Sequence, residues 1–101
     1  MVVTTEKNGS ALFVKIVGAV DSGAAEILRS RLKEIAQKKP PKVVLDLSQV
    51  PTMGSSGIGK ILMFFKTLKE DNTSFEIRGI HENLHSFFKV IKLDKLFPIS
   101  Q

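Results

Sequence analysis

The chain has 101 residues, the size of one domain, and it contains no cysteine, which excludes disulfides and thiolate metal sites. Hydrophobic residues make up 43% and charged residues 25%, the usual balance of a folded protein. The net charge is +5, but the cations are spread along the chain and there is no Trp or Tyr to stack on bases, so we expect no nucleic-acid partner. The absence of a long apolar run and of a signal-peptide pattern predicts a cytoplasmic protein without membrane insertion.

The first half of the chain predicts two or three strands and a helix. Residues 12–17 are β-branched and apolar. The turn at Asn8-Gly9 would let the residues before it pair with residues 11–17 as an antiparallel edge strand. Asp21 and Ser22 can cap a helix. Its apolar residues recur at three- and four-residue steps and predict one buried stripe: Ala25, Leu28, Leu32, Ile35 and Ala36. Residues 43–47 form a compact apolar run, typical of a central strand.

The second half predicts two more helices around a half-exposed strand. A helix begins near Ser55, with its predicted core stripe at Ile58, Ile61, Leu62, Phe65 and Leu68. Residues 75–78 alternate between apolar and charged, as a half-exposed strand does. A third helix is predicted to bury Leu84, Phe87, Phe88 and Ile91. The tail, residues 93–99, is apolar enough to dock against the rest of the domain.

This alternation of strands and helices predicts the α/β class. We expect a single domain over residues 1–101, with a mixed sheet of four to five strands and three to four helices.

Residues 54–60 satisfy the P-loop pattern G-x-x-x-x-G-K, in which backbone amides cradle phosphates. A P-loop requires Ser or Thr at the next position to bind magnesium, and this chain has Ile61. The preceding strand is also separated from Gly54 by several residues. We therefore interpret the stretch as a glycine-rich turn into a helix, and we predict no nucleotide cofactor.

Residues 81–85 satisfy H-E-x-x-H, the helical zinc motif in which Glu82 would serve as general base. His81 and His85 are the only histidines, so a third ligand would have to be a carboxylate such as Asp94. Glu82 near a helix start is also favoured by the helix dipole for a purely structural reason. We predict no metal site, and we keep a zinc hydrolase as a remote alternative.

A different constellation carries the functional prediction. Residues 46–50 and 53–59, with Asp46-Leu47-Ser48 ending a strand and Ser55-Ser56-Gly57 opening a helix, resemble the STAS family. Residues 18–21 are similar to the family's G-x-L-D corner, and residues 93–99 are similar to its closing G-L-D-x-L-F-x-I segment. The resemblance covers nearly the whole chain, in the family's order and spacing.

The resemblance implies a stand-alone bacterial anti-sigma-factor antagonist, which is a binding module and not an enzyme. The partner would be an anti-sigma factor that is also a serine kinase. In this partner-switching mechanism the unphosphorylated antagonist binds the kinase, phosphorylation of the first serine ends binding, and a phosphatase restores it. Carried over to this sequence, that serine is Ser55, with Ser56 as a second possible acceptor.

Helical spacing adds a prediction about the partner surface. At about 100° per residue, Ser56, Gly59, Lys60 and Met63 lie opposite the core stripe of the second helix. We expect a docking patch there, with Met63 as an adaptable apolar anchor. The full set of predicted partner-binding residues is Asp21, Gly54, Ser56, Gly57, Gly59 and Met63.

One position departs from the family pattern. The family usually has Asp before the serine pair, whereas this chain has Gly54. The change favours an alternative, in which the chain is a STAS interaction module that is not phosphorylated and serves another signalling or transporter-associated assembly. The intact serine pair and the stand-alone length favour the antagonist.

Overall fold

The computed structural model describes residues 1–101 and confirms the predicted α/β class. In chain order its elements are β1 (Val2–Asn8), β2 (Ala11–Val17), α1 (Ser22–Gln37), β3 (Lys42–Gln49), α2 (Ser55–Glu70), β4 (Ser74–Arg78), α3 (Glu82–Val90) and a 3₁₀ turn (Leu93–Lys95). None of the three α-helices combines the length and the apolar character that a membrane span needs.

The strands form one sheet in the order β1-β2-β3-β4. β1 pairs antiparallel with β2, and the hairpin turn lies one residue later than predicted because Asn8 still pairs with Ala11. β2, β3 and β4 are parallel, so α1 and α2 serve as the crossover connections that parallel strands require. The central position of β3 agrees with its apolar sequence.

The register of the sheet separates its two faces. The side chains that face the helices are apolar: Leu12, Val14, Ile16, Val43, Leu45, Leu47, Phe75 and Ile77. They lie in matched rows across the strands as far as Lys15, where the register between β2 and β3 shifts. Buried side chains of all three helices join this face in one core. On the opposite face the Glu76 carboxylate forms ion pairs with Lys42 (2.9 Å) and Arg78 (3.0 Å). These two cations hold the pKa of the Glu76 carboxyl below the usual range.

Helix α1 buries the five predicted residues, and the Asp21 carboxylate caps it by accepting a hydrogen bond from the Ala24 amide at 2.8 Å. The predicted stripe of α2 missed one buried residue and included two that are only half-buried. Phe64 is buried, whereas Phe65 and Leu62 are half-buried. The buried arc of α2 turns toward α1 because that helix packs along its side, and Phe64 also meets the edge of the Phe75 ring.

Helix α3 is anchored by Leu84 and Phe88, as predicted. Phe87 and Ile91 were predicted to be buried, but their side chains are 46% and 41% exposed. The α3 helix is only nine residues long, and its main neighbour among the elements is the 3₁₀ turn, so its flanks stay open. The tail docks as predicted, with Leu93 and Phe97 buried and an isolated bridge between Ile99 and Ile77.

Candidate functional site

Two loops from separate parts of the chain meet at one end of the sheet and form a loop pair, residues 18–21 and 49–54. The Gly18 amide donates to the Gln49 carbonyl (2.9 Å), and the Val20 amide donates to the Thr52 carbonyl (3.0 Å). The Gly54 amide donates back to the Val20 carbonyl (3.0 Å), beside a parallel bridge between Val20 and Met53. These bonds satisfy the loop backbone and set the first residues of α1 and α2 side by side.

A side-chain hydrogen bond stabilises the end of β3. The Asp46 carboxylate accepts a hydrogen bond from the Ser48 amide at 2.8 Å, which fixes the chain where it leaves the sheet. Gly79 passes close by with a φ of +74°, and a Cβ there would lie 3.0 Å from both the Asp46 carboxylate and the Ser48 Cβ. The Asp-Leu-Ser pattern therefore has a structural role at the start of the loop.

Ser55 is the first residue of α2, and its side chain is exposed. Gly54 occupies the N-cap position with extended backbone and offers no side-chain acceptor. The first intrahelical bond of α2 runs from the Ile58 amide to the Gly54 carbonyl, so the amides of Ser55, Ser56 and Gly57 have no acceptor within the protein. Unpaired amides at a helix start favour a negative charge beside them.

Gly57 lies outside the surface where it was predicted to contact a partner, because it is buried against the loop pair. A Cβ at Gly57 would lie 2.7 Å from Val20 Cγ1 and 2.9 Å from Met53 Cγ, closer than carbon atoms approach. The glycine of the Ser-Ser-Gly pattern thus lets α2 pack directly on the Val20–Met53 bridge.

On the outward side of α2, three of the residues predicted to face solvent do so. Ser56 is exposed, Met63 is 59% exposed, and a Cβ at Gly59 would meet no atom within 4 Å. Lys60 differs, because its side chain is only 22% exposed and its Nζ lies 3.4 Å from Glu26 Oε1 on α1. This ion pair between helices was not predicted, because the P-loop-like pattern that contains Lys60 does not indicate a partner on α1, and Glu26 belongs to no motif.

We call Asp21, Ser55, Ser56, Gly59 and Met63 the docking face. Asp21 is exposed and lies at the start of α1, which the loop pair holds beside the start of α2. Neither helix has an acidic residue in its first turn. The Asp21 carboxylate is therefore the one acidic group at the starts of the two helices.

The two patterns that resemble catalytic motifs have simpler structural explanations. The P-loop-like residues from Ser55 to Lys60 lie in the first turns of α2, so they form a helix and not a phosphate-cradling loop. His81 precedes α3 as its N-cap, with a ψ of 150°, while His85 lies inside the helix and its Nδ1 is 3.3 Å from the Gln101 amide nitrogen. No group of three or more His, Asp or Glu residues is arranged to hold a metal ion.

Comparison with known proteins identifies the family of this chain and relatives that share its fold. The model of the STAS domain family matches residues 2–101. The anti-sigma-B factor antagonist of Bacillus subtilis (strain 168) is 28% identical over 98 residues, covering 97% of this chain and 89% of that protein.

Two solved structures share the fold. An anti-sigma factor antagonist from Mycobacterium paratuberculosis aligns with a TM-score of 0.89 at 23% identity, over 98% of this chain and 84% of that one. The phosphorylated form of the Bacillus cell fate determinant SpoIIAA aligns with a TM-score of 0.76 at 15% identity, over 99% of this chain and 92% of that one.

Proposed function

Because this chain belongs to the STAS domain family, we propose that it is an anti-sigma-factor antagonist whose docking face binds an anti-sigma factor. The observation that carries the proposal is an exposed serine, Ser55, at the start of a helix that a hydrogen-bonded loop pair holds in place. The names of the relatives, which are anti-sigma factor antagonists, support the same role. The proposal assigns the chain no reaction of its own.

We further propose that the anti-sigma factor is a serine kinase and that Ser55 is its target. A phosphate on Ser55 would add about −1.5 to −2 charges beside the unpaired amides of α2, which can accommodate it without unfolding the helix. Partner binding would bury that charge next to Met63 and Gly59. The cost of removing its water would then weaken the complex, and a phosphatase acting on Ser55 would restore it.

This switch would be local. The backbone bonds of the loop pair and the packing of Gly57 on Val20 would hold α2 in the same position in either state. The phosphate would change the charge and shape of the docking face, and no rearrangement of the sheet is needed.

Gly54 favours a second candidate, a STAS module that binds its partner without being phosphorylated, in another signalling or transporter-associated assembly. In the family pattern an Asp stands here, and its carboxylate would cap α2 and present a charge beside the acceptor serine. This chain has neither the cap bond nor that charge. Phosphorylation of Ser55 would then be slow or absent, while the docking face would remain.

The two candidates are separated by binding and phosphorylation measured on the same partner. The wild type, immobilised, is used to capture a partner from the native lysate, and the affinity of the purified partner is then measured for the wild type and for Ser55→Asp. We expect an ATP-binding anti-sigma factor as partner and a loss of affinity of about tenfold or more for Ser55→Asp, which corresponds to about 1.4 kcal/mol.

Ser86→Asp is the matched control, because Ser86 is an exposed helical serine on α3, away from the docking face. It should bind within about twofold of the wild type. Incubating the partner with ATP and locating the phosphate by mass spectrometry then tests Ser55 directly. Equal binding of both Asp variants and no phosphate on Ser55 would favour the unphosphorylated module. A partner without relation to sigma-factor control would refute the antagonist role.

A further inference from the structure

A groove of about 420 Å³ runs between the outer sides of α1 and α2. It extends along α1 from Arg29 to Gln37 and reaches Lys39 just beyond that helix, and it extends along α2 from Lys60 to Asp71, the residue that follows the helix. At 1.5 Å per residue it is roughly 15 Å long. The groove thus follows the helices toward their C-terminal ends, away from Ser55. It touches the docking face only at Met63.

The floor of the groove is apolar. Leu32, Ala36 and Phe64 form it, and each of these residues is at most 5% exposed. The floor is therefore part of the packed core and is held rigidly in place. Met63 stands at the rim with more than half of its surface in water. A flexible thioether at the edge of a rigid apolar floor can adapt to an incoming side chain.

The walls of the groove are cationic. Four basic side chains line it, and Asp71 is its only acidic residue: the cations are Arg29, Lys33, Lys39 and Lys60. Glu26 lies between Arg29 (3.2 Å) and Lys60 (3.4 Å), and these two partners hold the pKa of its carboxyl below the usual range. Lys33 and Lys39 have no ion-pair partner in the structure, so their charges are available to a ligand.

We propose that this groove binds a short acidic amphipathic helix of a partner protein. Its length matches about three helical turns, and side chains spaced at i, i+3 or i+4 and i+7 would lie on the apolar floor while carboxylates reach Lys33 and Lys39. A second copy of this chain fits poorly, because each copy carries a net charge of +5. The proposal goes beyond the proposed function, since it requires neither Ser55 nor a sigma-factor pathway.

The test uses a synthetic, fluorescently labelled peptide as the probe. The peptide is about three turns long, with leucines at helical spacing and glutamates on the flanks. A peptide of the same composition in scrambled order controls for charge alone. Binding is measured by fluorescence anisotropy with the full chain, and the contact surface is mapped by NMR amide shifts.

The charge-reversed variant is Lys33→Glu combined with Lys39→Glu. The matched control is Lys66→Glu combined with Lys69→Glu, which makes the same change in net charge at exposed positions outside the groove. We expect the groove variant to bind the peptide about tenfold more weakly and the control variant to stay within about threefold of the wild type. Because all four lysines are exposed, circular dichroism should show both variants folded.

Four results would overturn the proposal. Equal weakening by the two double variants, or equal binding of the scrambled peptide, would mean attraction by net charge alone. Amide shifts outside residues 29–39 and 60–71 would place the peptide elsewhere. Binding to anionic vesicles or to an oligonucleotide that depends on Lys33 and Lys39, with no binding of the peptide, would assign the groove to a different class of partner.

Discussion

The starts of α2 and α3 offer a direct comparison, since both carry sequence patterns that resemble enzyme motifs and both lack a side-chain cap. At α2 the pattern is packed against the loop pair, and Gly57 has no space for a Cβ. At α3 the polar residues His81 and Glu82 are exposed, and the helix is anchored by apolar residues further along.

The difference teaches what a short motif means physically. At α2 the close approach of Val20 requires glycine at position 57, so this position of the pattern is explained by a tertiary contact. At α3 the polar residues of H-E-x-x-H have only local roles. Glu82 lies in the first turn, where the helix dipole favours it, and His85 lies beside Gln101, but no group of residues is arranged to hold a metal ion. A motif therefore gains weight when the fold explains why each of its positions is constrained.

The largest expected effect concerns two glycines in the same helix. Gly57→Ala should lower the free energy of unfolding by about 1–2 kcal/mol, because the methyl group would overlap Val20 and Met53. Gly59→Ala is the matched control, and it should raise the free energy of unfolding by about 0.5–1 kcal/mol, since open space surrounds it and alanine favours a helix. Urea titration measures both.

Equal effects of the two alanine substitutions would contradict this account of the loop pair. They would mean that α2 can shift away from Val20 and Met53 at little cost, and that its position on the sheet is not fixed by Gly57.

A smaller effect is expected at the N-cap of α2. Gly54→Asp should raise the free energy of unfolding by a few tenths of a kcal/mol, because its carboxylate can accept from the unpaired amides. The nearest atom to a Cβ at Gly54 is the Val20 carbonyl oxygen at 3.9 Å, so the side chain has room. The melting temperature should rise by about 1–3 °C.

Gly54→Ala distinguishes the cap from the loss of a glycine. Alanine brings no acceptor and is a poorer N-cap than glycine, so it should lower the melting temperature. If alanine and aspartate raise the melting temperature equally, capping does not explain the gain.

The smallest effect is expected at the start of α3. Replacing both histidines, His81→Ala with His85→Ala, should change the free energy of unfolding by less than about 0.5 kcal/mol, because His81 is exposed, His85 is half-buried, and neither belongs to the buried core. The wild type should carry no stoichiometric zinc after purification, and added zinc should leave its melting temperature unchanged. If the purified wild type carries one equivalent of zinc and the double variant does not, the result would instead favour the zinc-hydrolase alternative.

Much of the fold was predictable because its signals are local. The strand and helix order follows from apolar spacing, and the five buried residues of α1 follow from their three- and four-residue steps. The position of Ser55 at a helix start and the exposure of Met63 also follow from spacing within one helix. These features depend on residues that are close together along the chain.

The errors arose where a distant element decided the outcome. Phe64 is buried in place of Phe65 because α1 packs beside α2, and Phe87 is exposed because no other helix covers that side of α3. The burial of Gly57 depends on Val20, which is 37 positions earlier in the sequence, and this contact has no periodic signal.

The sequence by itself determined the class of fold and the helix that begins with Ser55, because hydrophobic periodicity and turn residues act over a few positions. The family resemblance rests on short motifs, such as residues 46–50 and 53–59, which are also local in the sequence. Tertiary structure alone decided the pairing of the two loops, the Glu26–Lys60 ion pair and the groove between α1 and α2. These features form when crossover connections bring α1 and α2 onto the same face of the sheet, and no short segment contains the information for that approach.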